Sequence, residues 1–477
     1  MQKILLFIAS LFYFNFILAE NEIKSWQGIH ETPLSCLEQQ FAEPPVEFAN
    51  HVIWGWEGKM DKKTICNDLD SIKKKGFRAV IFEAGYKLPF KYLSEEWFKA
   101  IRTGVLEAKK RGMKVWIIDE GKYPSGFAGG KFSQERPDLR MQALVIGDTI
   151  QIKRGEVMTN HKIAPEIISA VAVSTSGAPN RTVAINNGEI SFNAGLDDWK
   201  VLLVKSDFRT AVTRAVNNPN GGKDATNSLC DYLNPIAVQQ FIDWTHEQYK
   251  KYLGKELGTT VLGFRGDEPD YAHLPWTPSI VQTFKETKGY DPTPYLASFF
   301  TASPTIQEQR VKADYWDVWS SLFAPHFFKL QADWCAANGV AHITHLNKEH
   351  EMPACVKAEG DYFRNLSKVQ IPGVDAIWNQ IWPGTLNDFP KLASSVAHVY
   401  GKPRAFSESF AAYHISPTIP QAKFVVDHQI ARGINFFEFM FWLAGSKHRN
   451  WMSDPGMKGL NEYTNRTTYL MSQGKPG

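Results

Sequence analysis

Two short stretches of the chain carry the residue types that acid and base catalysis requires. One apolar run ends at Gly266-Asp-Glu-Pro269, and a second ends at Ser407-Glu-Ser-Phe410. Each predicts a buried strand whose tip presents a carboxylate. Cleavage of a glycosidic bond needs one carboxylic acid that protonates the leaving oxygen and one carboxylate that acts as nucleophile or activates water. We therefore predict Glu268 and Glu408 as a catalytic pair.

The elements that must position this pair alternate in a regular rhythm of apolar runs and amphipathic helical segments. Continuous apolar strands separated by helices are typical of a parallel sheet that helices cover. Eight strands are predicted, at residues 51–56, 77–83, 113–120, 260–265, 340–345, 374–377, 404–407 and 434–440. Eight is the number that closes a barrel. The predicted fold class is therefore α/β, a (β/α)8 TIM barrel, with a β-rich insertion after strand three.

Active sites of such barrels lie at the C-terminal ends of the strands. Those ends carry carboxylates, tryptophans and amides, which suit neutral sugars because they bond hydroxyl groups and stack on rings. The residues predicted to contact substrate are Trp54, Trp56, Glu83, Asp119, Glu120, His345, Glu349, Asp375, Trp378, Asn379 and Glu438.

Some of these residues have competing interpretations. Asp119 and Glu120 could bind a metal, bond sugar hydroxyls or hold the glycine-rich loop that follows, and the last two roles are favoured. Glu438 is more often a buried core acid than a catalytic one. Asp267 should face away from Glu268 if the strand stays extended, which favours a structural role. His345 and a histidine three residues earlier face opposite sides of a strand, which argues against a two-histidine metal site.

Composition and charge exclude several classes of function. The 477 residues are 43% hydrophobic and 22% charged, with a net charge of +3 and no basic run, so nucleic acid is not an expected partner. The expected partner is an oligosaccharide or polysaccharide, because 15 Trp, 16 Tyr and 31 Phe supply flat rings for sugar faces. No organic cofactor is expected. The five scattered cysteines leave disulfide pairing open and do not predict a zinc cluster.

The sequence predicts five segments. They are a signal peptide at 1–19, a lead-in at 20–48, barrel strands one to three at 49–140, the inserted β-rich subdomain at 141–205, and the remainder of the barrel at 206–477. The first segment has a basic residue followed by a short apolar run, which predicts export to the periplasm or the extracellular space. No later run is long enough to span a bilayer, so no membrane span is expected in the mature chain.

Several stretches together resemble glycoside hydrolase family 106, the bacterial α-L-rhamnosidases. They are residues 116–130 (WIIDEGKYPSGFAGG), 266–269 (GDEP), 407–410 (SESF), 345–349 (HLNKE), 360–361 (GD) and 372–375 (PGVD). The resemblance covers the chain from about residue 48 to its end. It implies hydrolysis with inversion and a calcium ion near the bound sugar, whose ligands are left unassigned. On matching positions it implies Glu268 and Glu408 as general acid and general base, with the division of roles left open.

Two departures from the family pattern bear on substrate identity. Glu57 stands where the first strand of the family often has asparagine, and C-terminal β-sandwich domains usual in the family do not follow the barrel. We therefore expect either a truncated chain or a remote relative.

The leading hypothesis is an exported glycosidase that acts on terminal α-L-rhamnosyl or related deoxy-sugar linkages in plant-type polysaccharides. The alternative is a non-catalytic carbohydrate-binding barrel of a polysaccharide-utilisation system, in which the two glutamates would lie too far apart or be ion-paired away from the cleft. A serine hydrolase is disfavoured because Ser407 and Ser409 lack a G-x-S-x-G elbow. A metal-dependent amidohydrolase would need an H-x-H at the end of strand one, which the sequence does not supply.

Overall fold

The computed structural model describes residues 24, 26–121, 123–210, 213–214, 223–224, 228–271, 274–302, 304–385, 387–445 and 451–474. The predicted signal peptide at 1–19 lies outside the described residues, as do the first residues of the predicted lead-in. Among the described residues, no helix is both long enough and apolar enough to cross a membrane.

The strands are β1 (His51–Trp56), β2 (Ala79–Ala84), β3 (Lys114–Ile118), β4 (Gln142–Ile152), β5 (Val157–Lys162), β6 (Ile167–Ser174), β7 (Arg181–Thr182), β8 (Ile185–Asn186), β9 (Glu189–Asn193), β10 (Trp199–Phe208), β11 (Thr213–Arg214), β12 (Lys223–Asp224), β13 (Val261–Asp267), β14 (Pro275–Trp276), β15 (Ala341–His345), β16 (Ile371–Ala376), β17 (Phe406–Ser409) and β18 (Phe436–Leu443).

The helices are α1 (Leu34–Ala42), α2 (Lys62–Lys74), α3 (Glu95–Lys110), α4 (Lys131–Glu135), α5 (Pro235–Trp244), α6 (His246–Leu253), α7 (Ile280–Lys288), α8 (Ile306–Phe323), α9 (Leu330–Ala337), α10 (Met352–Glu359), α11 (Tyr362–Leu366), α12 (Pro390–Val399), α13 (Ile419–Ile430) and α14 (Met457–Leu470).

Eight parallel strands close into a barrel in the order β1, β2, β3, β13, β15, β16, β17 and β18. This is the chain order of the barrel strands, with helices between them, and it confirms the predicted (β/α)8 fold. The helices start where the sequence offers caps. Asp61 accepts a hydrogen bond from the backbone N–H of Thr64 at 2.9 Å, and Ser94 accepts one from Trp97 at 3.3 Å.

Two apolar layers hold the barrel together. Inside it, aliphatic and aromatic side chains from alternate positions of the strands form one cluster, which the lead-in extends with Trp26 and Phe48. Outside it, a larger cluster fills the space between the strands and the helices. Because the strands are buried on both faces, each reads as a continuous apolar run rather than an alternating one.

The predicted β-rich insertion after the third barrel strand is also present. Its main part is an antiparallel sheet in the order β14, β4, β10, β6 and β7, and a second sheet is formed by β5, β9 and β8. The insertion has its own apolar core. The strand β14 follows the fourth barrel strand in the chain, so the loop after β13 also contributes to this sheet.

Candidate active site

A cavity of about 330 Å³ opens at the C-terminal ends of the barrel strands. Five of the residues predicted from the sequence line it: Glu83, Glu268, Asp375, Trp378 and Glu408. They come from the second, fourth, sixth and seventh barrel strands or from the turns just after them. The two predicted catalytic glutamates therefore face the same enclosed volume.

Strand register explains why the acids of the last three strands meet. Asp375 on β16 pairs with Glu408 on β17, and Glu408 pairs in turn with Glu438 on β18. Side chains at paired positions of a parallel sheet point to the same face. Three carboxylates therefore stand side by side on the inner wall of the barrel.

The positive charge that balances these acids is Arg265, a residue that the sequence reasoning missed. Its guanidinium is 1% exposed and forms ion pairs with Asp267 at 2.8 Å, with Glu438 at 3.2 Å and with Glu408. The available signal was a single arginine in an otherwise apolar strand, two positions before a carboxylate and hence on the same face.

Glu408 is held as a carboxylate. Burial by itself would raise the pKa of Glu408, but the charge of Arg265 and the hydrogen bond and charge of His345 outweigh burial and lower it to about 2. The Nε2 atom of His345 lies 3.3 Å from the Glu408 carboxylate. Burial and Arg265 lower the pKa of His345, but Glu408 and Glu349 raise it to about 9.

Glu268 is held in the opposite state. Burial, followed by the negative charges of Asp267 and Glu408, raises the pKa of Glu268 to about 7 against the opposing charge of His345. The backbone of Glu268 has a φ of 35°, which turns the chain sharply out of β13. Left-handed backbone at a non-glycine residue costs about 1–3 kcal/mol and tends to occur at functional sites.

The position of Asp267 corrects one expectation from the sequence. An extended strand would send Asp267 and Glu268 to opposite faces, but the left-handed turn at Glu268 ends the extended conformation there. Both residues line the cavity. Asp267 still has the structural role predicted for it, because its carboxylate pairs with Arg265.

Asp119 and Glu120 do not line the cavity, which corrects their prediction as substrate contacts. The Glu120 carboxylate is 1% exposed and accepts backbone N–H groups of the glycine-rich loop, including Gly129 at 2.9 Å. Asp119 accepts a hydrogen bond from the Ser125 hydroxyl at 2.7 Å. The two acids therefore hold the loop in place, which is the second of the roles favoured for them. The loop contributes a residue that was not predicted, Tyr123, to the cavity wall.

Trp54 and Trp56 also lie away from the cavity, which corrects a second prediction. Both are fully buried in the layer between barrel and helices, where Trp56 contacts Phe82 and Trp97. The inward positions of β1 are the alternate ones, and Ile53 occupies the one that reaches the cavity. The prediction failed because, in a strand that is apolar throughout, the sequence does not show which of the two alternating sets of side chains faces inward.

The remaining predicted residues support the site from behind. His345 lies beneath Glu408, and Glu349 lies 3.7 Å from the other ring nitrogen of His345. Glu438 is fully buried against Arg265, as the core interpretation expected. Asn379 lies next to Trp378 and accepts a hydrogen bond from the backbone N–H of His414 at 2.8 Å. None of the four lines the cavity as described.

The groups of ionisable side chains at the cavity are not the oxygen-only sets that calcium prefers. The groups of three or more ionisable ligands at the cavity are Asp267, His345 and Glu408, and Glu268, His345 and Asp375. Each includes a histidine, whereas calcium takes six to eight oxygen ligands. Asp267 and Glu408 are, in addition, already paired with Arg265. Because the residues do not fit the ion, no step of the mechanism below depends on calcium.

Comparisons with known proteins agree with the barrel fold. The sequence model of glycoside hydrolase family 106, described as alpha-L-rhamnosidase, matches residues 180–476. A curated relative from Formosa agariphila, named "Putative beta-glucuronidase", is 24% identical over an alignment of 514 positions that spans 92% of this chain and 42% of the relative. A solved rhamnosidase from Novosphingobium sp. PP1Y is similar with a TM-score of 0.69 at 16% identity, over 93% of this chain and 61% of that chain. The chain thus spans less than two thirds of either protein.

Proposed function

Because the chain belongs to glycoside hydrolase family 106, we propose that it hydrolyses terminal α-L-rhamnosyl linkages, or those of a related deoxy sugar, in plant-type polysaccharides. The observation that carries the proposal is the opposed ionisation of Glu268 and Glu408 on one cavity. Two titratable groups whose surroundings push their pKa values apart are the arrangement that acid and base roles need.

The ionisation states support one division of the two roles. Glu268, with a pKa of about 7, holds its proton in about half of the molecules at pH 7 and in most of them at lower pH, and it is the general acid that protonates the leaving glycosidic oxygen. Glu408, with a pKa of about 2, is ionised and is the general base that takes a proton from the attacking water. Water attacks C1 of the sugar as the bond to the leaving oxygen breaks, so the configuration at C1 inverts.

The ion pair of Glu408 does not remove it from the cleft, as the binding-protein alternative would require. Arg265 contacts Glu408 from inside the barrel, and Glu408 still lines the cavity. The guanidinium and His345 therefore act as positioning groups that hold the base in its charged form.

The lining of the cavity favours a neutral sugar over an acidic one. Arg265 is the one basic side chain among the described residues that line the cavity, and three carboxylates already neutralise it. The described residues of the cavity wall offer no free cation to receive the carboxylate of a uronate. Apolar side chains of the cavity wall, such as Met440, instead suit the methyl group of a deoxy sugar.

The test compares two chromogenic substrates, an aryl α-L-rhamnoside and an aryl β-D-glucuronide, with purified protein. We expect release from the rhamnoside and little from the glucuronide. Glu268→Gln and Glu408→Gln should each reduce release from pectic rhamnosides by about 10²–10⁴-fold, the usual contribution of a general acid or base. Glu256→Gln is the matched control, since that buried acid pairs with Lys109 and does not line the cavity. If both catalytic variants are as active as the parent, the catalytic roles of Glu268 and Glu408 are refuted. If product is released from the glucuronide alone, the proposed rhamnoside substrate is refuted.

We also propose that the chain is exported before it acts. The proposal rests on the basic and apolar pattern of residues 1–19 alone. The check is N-terminal sequencing of the protein recovered outside the cytoplasm of an expressing bacterium. A mature chain that still begins at Met1 in the cytoplasm would refute it.

A further inference from the structure

A second cluster of potential metal ligands lies outside the barrel, remote from the inner wall that carries the catalytic acids. His246 begins α6, Cys335 lies in α9, and His342 lies on β15. All three side chains are fully or almost fully buried, and their ligand atoms lie within 4.8 Å of one another. His342 faces outward from β15, on the opposite face to His345, as the odd spacing of the two histidines predicts.

The imidazole nitrogens of this cluster lack the partners that buried polar groups normally have. Both ring nitrogens of His342 and the Nε2 atom of His246 are buried without a hydrogen bond. Leaving a buried donor unsatisfied costs about 1–3 kcal/mol for each group, and most native buried polar groups are paired. Three unpaired nitrogens beside one thiol therefore indicate that the cluster binds something.

One of the histidines is also held in the orientation that a ligand needs. The Thr245 hydroxyl lies 2.9 Å from Nδ1 of His246, which fixes the ring and leaves Nε2 for the cluster. Such an outer hydrogen bond is the usual companion of a metal-binding histidine. On the neighbouring strand, a Cβ atom at Gly266 would lie 3.3 Å from Cε1 of His342, so the glycine leaves room for that ring.

The surroundings and the ligand types disfavour hard cations. Phe264 and Trp334 pack against the His246 ring, with ring centroids 4.2 Å and 5.1 Å away. Two imidazoles and a thiolate suit zinc and other borderline or soft transition ions rather than magnesium or calcium.

We propose that His246, Cys335 and His342 form a structural site for one transition-metal ion of the zinc class, which ties α6 and α9 to β15. Zinc bonds sulfur at about 2.3 Å and nitrogen at about 2.0–2.1 Å, so the ligand atoms need to close by about 1 Å when the ion enters. The thiol loses its proton on binding. The site braces the helix layer behind the barrel and takes no part in the hydrolytic step.

The experiment uses purified, tag-free protein of the full chain that has been stripped with a chelator, loaded with excess Zn²⁺ and desalted. Bound zinc is measured by inductively coupled plasma mass spectrometry, and a parallel sample is loaded with Co²⁺ for absorption spectroscopy. The variants are Cys335→Ala and, as a matched control that removes a different buried thiol, Cys355→Ala.

We expect about one zinc ion per chain in the parent and in Cys355→Ala, and about a tenth of that or less in Cys335→Ala. The cobalt form of the parent should show a thiolate-to-metal charge-transfer band that Cys335→Ala lacks. Equal zinc content in parent and Cys335→Ala, or a parent that retains no zinc, overturns the proposal. If Cys335→Ala does not fold, the parent spectrum decides the question, because cobalt bound without a thiolate band also overturns it.

Discussion

Removal of the Arg265 guanidinium should change the pH at which the base becomes active. The pKa of Glu408 is lowered from 4.5 to about 2, with Arg265 as the main cause acting against burial. At about 1.4 kcal/mol for each pH unit, this difference corresponds to about 3 kcal/mol in favour of the carboxylate. In Arg265→Gln, burial is opposed by His345 alone, so the pKa of Glu408 should rise to about 4.5 or above.

The base must be ionised to accept a proton, so activity falls as the pH drops through the pKa of Glu408. In the parent this acid limb lies near pH 2, below the range in which most enzymes stay folded. In Arg265→Gln the acid limb of kcat/KM should therefore appear at about pH 4.5 or above. The assay is kcat/KM on an aryl α-L-rhamnoside from pH 3 to 9, with circular dichroism at each pH to confirm that the variant is folded.

Arg404→Gln is the matched control for this experiment. Arg404 is an arginine with the same 1% exposure that stacks on Phe48 and Phe436 and donates to backbone carbonyls. Both variants lose a buried guanidinium and should be less stable. Only Arg265→Gln should move the acid limb, so an acid limb shared by parent and both variants would show that Arg265 does not set the charge of Glu408.

Three further outcomes follow from the same site. In the parent, kcat/KM should fall above about pH 7 as Glu268 loses its proton. In Glu268→Gln this alkaline limb should vanish, and activity should survive best on dinitrophenyl rhamnosides, whose leaving group needs no acid. An alkaline limb that is unchanged in the variant would contradict the acid role. Trp378, which is 50% exposed at the cavity, should stack on substrate, so Trp378→Ala should raise KM several-fold and leave the melting temperature unchanged; an unchanged KM would remove that role. Trp56→Ala should lower the free energy of unfolding by about 3–5 kcal/mol in denaturant titrations without altering KM, because the ring lies in the outer core. A raised KM with an unchanged free energy of unfolding would instead indicate that Trp56 contacts the substrate.

The sequence predicted the barrel well because its signal is repeated. Each strand is a continuous apolar run that ends at turn or polar residues, and eight such runs alternate with capped helices. The ends of these runs are equally clear, so the sequence alone places Glu268, Asp375 and Glu408 at one end of the barrel.

The face of the strand on which an individual side chain lies could not be predicted in the same way. A strand that is buried on both faces has no alternation of apolar and polar residues, so Trp54 and Trp56 could not be assigned to the outer layer. The roles of Arg265 and Tyr123 depend on contacts between elements far apart in the chain. The turn at Glu268 depends on a left-handed φ that a glutamate seldom adopts.

The central claim is that a protonated Glu268 and an ionised Glu408 act together on one glycosidic bond. Proton NMR of the first product formed from an aryl α-L-rhamnoside tests it most directly, before the sugar mutarotates. We expect β-L-rhamnose to appear first with the parent, and neither Glu268→Gln nor Glu408→Gln to release rhamnose from an unactivated methyl α-L-rhamnoside at a comparable rate. α-L-rhamnose as the first product, or parent-like release by both variants, would contradict the account.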